Sequence, residues 1–428
     1  MTDLVGFGMP KDGTEEEKQA YLNYHADLIS KSTQKFYTEG PTVPNWSLGM
    51  QITIDRVVAD LKSLSKNSHL VNEDNFDAKV IEQTFMVIRS IQADISNKGG
   101  SYRTRYWPVE GEKVLTSPHK ECDELSRQDN ELASSGNPRQ LFTEIVASDQ
   151  ILENAAKNGV DEEEALSIKP LHENEIVMVF YHGGGFYLES PGTNRSAALD
   201  ISKETGYRVF LPDYRYVPVY PFPTSIYDGF LFFQHLLTQG FKAENIIIMG
   251  DSAGGNLSLN VMQFLKGMNA TQPKAAILLS PWCDLSFTSD SWKRNVGKDF
   301  IPVPHFDRVT CDARMYVAPG KPYDDKLREM LRNPLVSPLH ADYEGCAPMY
   351  IQGGEVELLV DDIDNLAKKV GAKEVFIKGR DHPGIIHSGD RNIYEKYAGM
   401  VHIFFLFDEA DEKHAAIKGI GNYVRSLK

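Results

Sequence analysis

Cysteine, basic charge and long apolar runs are all scarce in this sequence of 428 residues. The four cysteines (Cys122, Cys283, Cys311 and Cys346) have the spacing of neither a metal site nor a disulfide framework, so we interpret them as free thiols in a reducing compartment. No apolar run approaches the roughly 18 residues that a membrane-spanning helix needs. The N-terminal residues lack a basic segment followed by an apolar one. No secretory signal peptide is therefore predicted, and a cytoplasmic or other intracellular location is expected.

The charge balance argues against nucleic acid as a partner. The sequence has 60 acidic and 45 basic residues, which gives a formal net charge of −15. An acidic surface repels phosphate backbones and has no general attraction to anionic membranes. The sequence leaves the oligomeric state open.

Short β-rich apolar runs alternate with helical segments from about residue 174 onward. This alternation predicts an α/β fold with a mostly parallel central sheet and helices on both faces. The predicted strands are Ile176–Tyr181, Tyr207–Leu211, Asn245–Met249, Ala275–Leu279, Met349–Gln352 and Glu374–Ile377. The predicted helices lie near 193–205, 224–238, 253–267, 358–370 and 409–426.

Three other stretches are interpreted as additions to this sheet. Residues 1–100 carry helical signals and are expected to contribute to a helical cap. Residues 110–172 are polar with few strand signals, and predict a surface insertion in a single domain that spans 101–428. Residues 285–335 interrupt the alternation with aromatic residues and methionines, which predicts a cap excursion above the sheet.

A nucleophile motif follows the predicted strand that ends at Met249. Gly250-Asp-Ser252-Ala-Gly254 has the pattern G-x-S-x-G, and an apolar helix begins directly after it. In such a turn the serine hydroxyl lies at the N-terminus of the helix, where the helix dipole favours negative charge. Ser252 is therefore the candidate nucleophile. The alternative is a glycine turn with a purely structural role.

A second glycine motif follows the first predicted strand of the sheet. His182-Gly183-Gly184-Gly185 comes directly after Tyr181, and glycines allow backbone N–H groups to approach a developing oxyanion. A phosphate-binding loop is the alternative, but the G-K-[ST] and G-x-G-x-x-G patterns of such loops are both missing.

Together these motifs resemble the hormone-sensitive-lipase-like branch of the α/β-hydrolases, and most of all fungal members such as the steryl acetyl hydrolases. Further similar stretches occur in the family's order, over about 174–428: Asp213–Pro218, Pro221–Pro223, Ser280–Leu285, Ser337–Leu339 and Gly353–Glu357. Two positions depart from the family pattern. Val219 replaces a glutamate, and Glu189 replaces a glycine that often follows the HGGG motif.

The resemblance implies a set of site residues. The oxyanion donors would be the N–H groups of Gly183, Gly184 and Ala253, and His182 would orient the loop. The triad acid follows a late strand, and the family pattern [DE]-x-L-x-D matches Glu357-Leu-Leu-Val-Asp361. Glu357 is therefore the candidate acid, ahead of Glu355, Asp361 and Asp362.

Three histidines are candidates for the base. His387 has the family's usual distance from Glu357, whereas Met400-Val-His402-Ile-Phe404 matches the M-x-H-x-F motif before the last helix. Because loops accept insertions at little cost, we rank the local motif above the spacing and choose His402. Residues 380–398 would then form an extra loop. His382 is the third candidate, and a metal site at Asp381, His382, His387 and Asp390 has no recognised ligand spacing.

The implied activity is hydrolysis of carboxylic esters through a Ser-His-Glu triad and an acyl-enzyme, without cofactor or metal. The resemblance favours short acyl esters, above all acetyl esters, of hydrophobic alcohols. Amide hydrolysis of a formamidase-like kind and acyl transfer to an alcohol are alternatives. A non-catalytic small-molecule receptor on the same fold is an alternative of another class.

Overall fold

The computed structural model describes residues 13–110, 119–384 and 389–427. Its strands form one nine-stranded sheet in the order β1-β2-β4-β3-β5-β6-β7-β9-β8. The strands are β1 Gly100–Pro108, β2 Gln140–Ser148, β3 Val177–Tyr181, β4 Val209–Pro212, β5 Ile246–Asp251, β6 Ala275–Leu279, β7 Met349–Gly354, β8 Lys373–Ile377 and β9 Ile393–Tyr397. Only the β1–β2 and β2–β4 pairs are antiparallel, and the other six neighbouring pairs are parallel.

Helices cover both faces of this sheet. The α-helices are α1 Glu15–Glu39, α2 Leu48–Leu64, α3 Ala78–Arg89, α4 Asp123–Ser134, α5 Asp149–Lys157, α6 Glu162–Ala165, α7 Pro191–Thr205, α8 Thr224–Thr238, α9 Ala253–Gly267, α10 Ser291–Arg294, α11 Asp312–Val317, α12 Asp325–Met330, α13 Val360–Lys369 and α14 Glu412–Ser426. Helices α8 and α9 pack on one face with α13, and α7 and α14 pack on the other with α2. Strand β3 contributes side chains to both cores in alternation, as a strand buried on both faces does.

The predicted fold class, an α/β-hydrolase fold with a mostly parallel sheet, is confirmed. All six predicted strands of the sheet are present, and the helices predicted from 193 onward match α7, α8, α9, α13 and α14 within a few residues. Within the described ranges, no helix combines the length and the apolar character needed to cross a membrane. All four cysteines are buried thiols outside any disulfide.

The prediction that residues 110–172 form a polar surface insertion was wrong for part of that stretch. Strand β2 lies within it, pairs with β1 over its whole length, and pairs with β4 from Thr143 to Val146. Its central Glu144 looks like a surface residue in the sequence, but Arg195 Nη2 of α7 lies 2.6 Å from Glu144 Oε1, and both side chains are buried. A buried charge is tolerated when such a partner is present.

The prediction that residues 380–398 form an extra loop was also wrong for part of that stretch. Strand β9 lies within it, between β7 and β8 in the sheet. Glu395 and Lys396 made the segment look polar, yet each has a partner: Tyr397 OH lies 2.6 Å from Glu395 Oε2, and Lys396 Nζ lies 2.8 Å from Asp364 Oδ2. Of the histidines proposed as the base, only His402 follows the last strand in chain order.

Candidate active site

Ser252 occupies a sharp turn between β5 and α9. Its φ of 50° lies in the left-handed region, which costs energy for a residue with a side chain. The neighbouring glycines make the turn possible because the chain is crowded there. A Cβ atom on Gly254 would overlap the carbonyl of Tyr181, and one on Gly255 would come within 2.8 Å of Pro281. The turn places Ser252 at the N-cap of α9, as the motif predicts.

A cavity of about 120 Å³ lies above this turn. Ser252 and His402 both line it, so two of the three predicted triad members face the same space. Its walls are mainly apolar and aromatic: Leu61, Trp282, Phe287, Trp292, Phe300, Ile301 and Pro302. Such a cavity with few polar groups is typical of a small-molecule site.

His402 and Glu357 form a buried pair beside the cavity. His402 Nδ1 lies 2.7 Å from Glu357 Oε2, and the two side chains are only 4% and 0% exposed. The other oxygen of Glu357 accepts hydrogen bonds from Gly354 N at 2.7 Å and Ser280 Oγ at 3.2 Å. Because a carboxylate only accepts, Nδ1 carries the imidazole proton and Nε2 is left as a base.

The Ser252 hydroxyl makes no hydrogen bond to His402 Nε2 or to any other residue of the described ranges. Catalytic hydrogen bonds in structures without substrate are often long and shorten when the substrate binds. The cavity that Ser252 and His402 share is therefore stronger evidence for a common site than the missing hydrogen bond is against it.

The glycines of the loop after β3 differ in whether they line the cavity. Gly184 and Gly185 line the cavity with Ser252, whereas Gly183 does not. A Cβ atom on Gly183 would overlap the carboxyl of Asp251, so Gly183 faces that side chain. Ala253 is the first residue of α9 and follows Ser252 directly. The structure thus brings Gly184 and Ala253 near the nucleophile and adds Gly185, which the sequence analysis did not select.

His182 is held behind this loop. Its ring stacks on Tyr214 with 4.4 Å between centroids, and Tyr216 OH lies 3.3 Å from Nε2. Burial lowers the pKa of His182 to about 3, so the ring is neutral at ordinary pH. These contacts agree with a role in orienting the loop.

The other candidate acids have partners other than His402. Glu355 Oε2 accepts from Gly399 N at 2.7 Å, Asp361 Oδ2 accepts from Ser291 N at 2.8 Å, and Asp362 Oδ2 accepts from Trp292 Nε1 at 3.3 Å. Each carboxylate therefore connects segments of the chain and does not contact His402.

Of the other candidate histidines, His382 lies in a separate cluster and His387 lies outside the described residues. His382 Nε2 is 2.8 Å from Glu395 Oε1, and the His382 side chain is 2% exposed. Among the described residues, no group of three His, Cys, Asp or Glu side chains could hold a metal ion.

Asp299 is a residue of the site that the sequence analysis missed. Its Oδ1 accepts from Phe300 N at 2.8 Å and from His402 N at 3.3 Å, and its Oδ2 accepts from Leu358 N at 2.8 Å. It thereby connects the backbone of the His402 loop with the backbone that follows Glu357. Burial raises the pKa of Asp299 to about 6, the nearby His402 opposes this, and Glu357 adds to it. No motif marks Asp299, since its role depends on contacts far apart in sequence.

We expect Asp299→Asn to lower kcat by about 10- to 100-fold, because an amide offers one acceptor oxygen where the carboxylate offers two. Steady-state kinetics on an activated ester would measure the loss. Asp290→Asn is the matched control, since Asp290 is exposed and lies outside the cavity. Wild-type kcat in a folded Asp299→Asn variant would contradict a positioning role.

Known proteins resemble this chain in sequence. The family model described as the alpha/beta hydrolase fold matches residues 178–390. A protein of Acinetobacter venetianus named "Esterase" is 31% identical over 256 residues, which cover 58% of this chain and 75% of that protein. The chain belongs to the α/β-hydrolase fold family.

Other relatives of this α/β-hydrolase are also bacterial. A Streptomyces hygroscopicus protein named "Acetyl-hydrolase" is 30% identical over 216 residues, which cover 49% of this chain and 67% of that protein. The likeness to fungal steryl acetyl hydrolases therefore stays a prediction.

Solved structures agree on the fold of this α/β-hydrolase. An esterase from the bacterial hormone-sensitive lipase family superposes with a TM-score of 0.54 at 23% identity, covering 87% of this chain and 97% of that one. An esterase/lipase from an uncultured bacterium superposes with a TM-score of 0.52 at 21% identity, covering 87% and 98%.

Proposed function

We propose that this chain is a serine carboxylesterase of the hormone-sensitive-lipase-like branch, acting on short-chain acyl esters of hydrophobic alcohols, above all acetyl esters. The family membership and the relatives named as an esterase and an acetyl-hydrolase support ester hydrolysis. The observation that carries the proposal is the contact between His402 Nδ1 and Glu357 Oε2, beside a cavity that Ser252 lines.

The first half of the proposed reaction acylates Ser252. His402 Nε2 takes the hydroxyl proton while Oγ attacks the ester carbonyl, and Glu357 stabilises the imidazolium that forms. The backbone N–H groups of Gly184, Gly185 and Ala253 stabilise the oxyanion. The C–O bond to the alcohol then breaks, and the imidazolium returns the proton to the departing oxygen.

The second half hydrolyses the acyl-enzyme. His402 Nε2 now takes a proton from water, which attacks the acyl carbonyl, and the proton returns to Ser252 Oγ as the acid leaves. The same machinery passes the acyl group to an alcohol if an alcohol replaces water, which is the acyltransferase alternative.

The two sequence regions predicted to build a cap are proposed to enclose the alcohol. Leu61 of the region 1–100 lines the cavity, and so do residues of the excursion 285–335. Arg314 Nη2 of that excursion lies 2.8 Å from Glu73 Oε1, which joins the two regions above the sheet. The apolar walls that they supply suit a hydrophobic alcohol.

We expect acetyl to butyryl esters to be preferred over lauroyl and longer esters, because the rings of Trp282, Phe287 and Trp292 line the cavity with Ser252 and restrict the room for the acyl chain. The measurement is kcat/KM for p-nitrophenyl esters of graded acyl length, with steryl and terpenyl acetates and an anilide analogue beside them. Faster hydrolysis of emulsified long-chain triglycerides than of acetates would refute the acyl preference.

A fluorophosphonate probe separates a serine hydrolase from the non-catalytic receptor alternative. The proposal predicts covalent labelling of Ser252, checked by mass spectrometry of the labelled peptide. A receptor without an activated serine would stay unlabelled, and faster turnover of the anilide than of the ester would make the chain an amide hydrolase.

A further inference from the structure

Glu189 places a carboxyl group beside the oxyanion loop. Its side chain is 7% exposed and lines the same cavity as Ser252 and His402. A Cβ atom on Gly184 would lie 2.9 Å from both Cβ and Cγ of Glu189, so the glutamate packs directly against Gly184. A glycine at position 189 would leave this space empty.

Only one of the two carboxyl oxygens of Glu189 accepts a hydrogen bond within the described residues. Oε2 accepts from Asn194 Nδ2 of α7 at 2.7 Å. In the described part of the chain, no residue hydrogen-bonds to Oε1, and no lysine or arginine forms an ion pair with this side chain. A buried carboxylate without a cation is costly, so the group favours its neutral form.

Burial and the neighbouring groups shift the pKa values around Glu189 in opposite directions. Asp251 lies on the other side of the glycine loop, where it is fully buried and where a Cβ atom on Gly183 would overlap its carboxyl group. Burial raises the pKa of Asp251 well above its usual range and Glu189 raises it further, while hydrogen bonds from the backbone of Asp251 and Gly183 oppose this. Burial also raises the pKa of Glu189, while the hydrogen bond from Asn194 and the nearby His402 oppose this.

Tyr214 is a further titratable neighbour, and its pKa is raised well above the usual value by burial first and by Asp251 and Glu189 as well. Tyr187 and Asp312 line the same cavity, and burial raises the pKa of Asp312 to about 6 and that of Tyr187 well above its usual value.

The position of the carboxyl group matters for the reaction. Acyl transfer builds negative charge beside Gly184, and a second negative charge on Glu189 would oppose it across a medium that screens poorly. A neutral carboxylic acid fills the same space and keeps its bond to Asn194 without that repulsion.

We propose that Glu189 is a positioning residue that works as an uncharged carboxylic acid: it supports Gly184 of the oxyanion loop, and acyl transfer proceeds only while it keeps its proton. This inference rests on the proposed function. The reaction should therefore have two limits on the pH axis. Protonation of His402 sets the acid limit, and loss of the Glu189 proton sets the alkaline one.

The test compares three variants over about pH 5 to about pH 10. Glu189→Gln is neutral at every pH and close in shape, so we expect less than about a tenfold loss of kcat and no alkaline fall. Glu189→Ala removes the support of Gly184, and kcat should fall by about 10- to 100-fold with the acid limit unchanged. Glu244→Gln, an exposed residue away from the cavity, should keep the wild-type profile.

A thermal arm of the experiment needs no activity. A carboxyl whose pKa is raised by folding destabilises the protein increasingly as pH rises above the pKa of the unfolded chain. The melting temperature of Glu189→Gln should therefore exceed that of wild type by a margin that grows with pH.

The outcomes separate the two proposals. An unchanged alkaline fall in Glu189→Gln, or wild-type kcat in Glu189→Ala, overturns the role of Glu189. If no variant hydrolyses esters but the thermal margin appears, Glu189 is a neutral acid and the proposed function has failed. If neither the margin nor the pH effect appears, the inference about Glu189 is wrong.

Discussion

Ser252→Ala is expected to fold normally and to lose roughly a millionfold in kcat, as removal of a triad nucleophile does in a serine protease. The fold should survive because the hydroxyl makes no hydrogen bond within the described residues, and alanine keeps the Cβ atom that the turn already accommodates. Activity should be lost because no other hydroxyl is brought to the N-terminus of α9 on a strained turn.

Three measurements check this expectation. Steady-state kinetics on p-nitrophenyl acetate give the loss, circular dichroism melting shows that the variant is folded, and fluorophosphonate labelling should disappear. Ser135→Ala, an exposed serine at the end of α4, is the matched control and should behave as wild type. Turnover within about tenfold of wild type would remove Ser252 from the mechanism.

The sheet could be predicted from sequence where its strands are buried on both faces. Strands β3, β5 and β6 read as continuous apolar runs because parallel strands at the centre of a sheet contact helices on each side. Strands β1, β2 and β9 were missed because they carry charged residues. The partners of those residues, such as Arg195 for Glu144, come from distant segments and cannot be read from a local pattern.

The candidate triad could be predicted from local motifs, whereas the residues that support it could not. Ser252, Glu357 and His402 belong to local motifs, and the structure brings Glu357 into contact with His402. Asp299 belongs to no motif, and Glu189 was marked only as a departure from the family pattern, since the contacts of both residues form only in the folded chain. Which glycines of the loop after β3 line the cavity depends on which glycine packs against Asp251. This too is decided by packing in the folded chain.

His402→Ala is expected to be nearly as inactive as Ser252→Ala, because triad members act as a unit and the loss is again roughly a millionfold in kcat. The prediction follows from three features of this side chain. It lines the cavity with Ser252, its Nδ1 contacts a buried carboxylate, and it comes after β9 in chain order. The alternative base, His387, should be replaceable by alanine with most of kcat retained. Any effect should fall mainly on KM.

The pH dependence adds a second discriminating measurement. A general base works only when it is unprotonated, so kcat/KM of wild type should fall toward acid pH. In His402→Ala this acid fall should vanish from the residual activity, whereas His387→Ala should retain it. Loss of the fall in His387→Ala together with loss of its activity would transfer the base to His387. It would also mean that spacing from Glu357 outweighs the Met400–Phe404 motif. Added imidazole gives a further check, since it could restore part of the rate in the cavity that His402→Ala opens but could not do so in Ser252→Ala, which has no nucleophile to activate.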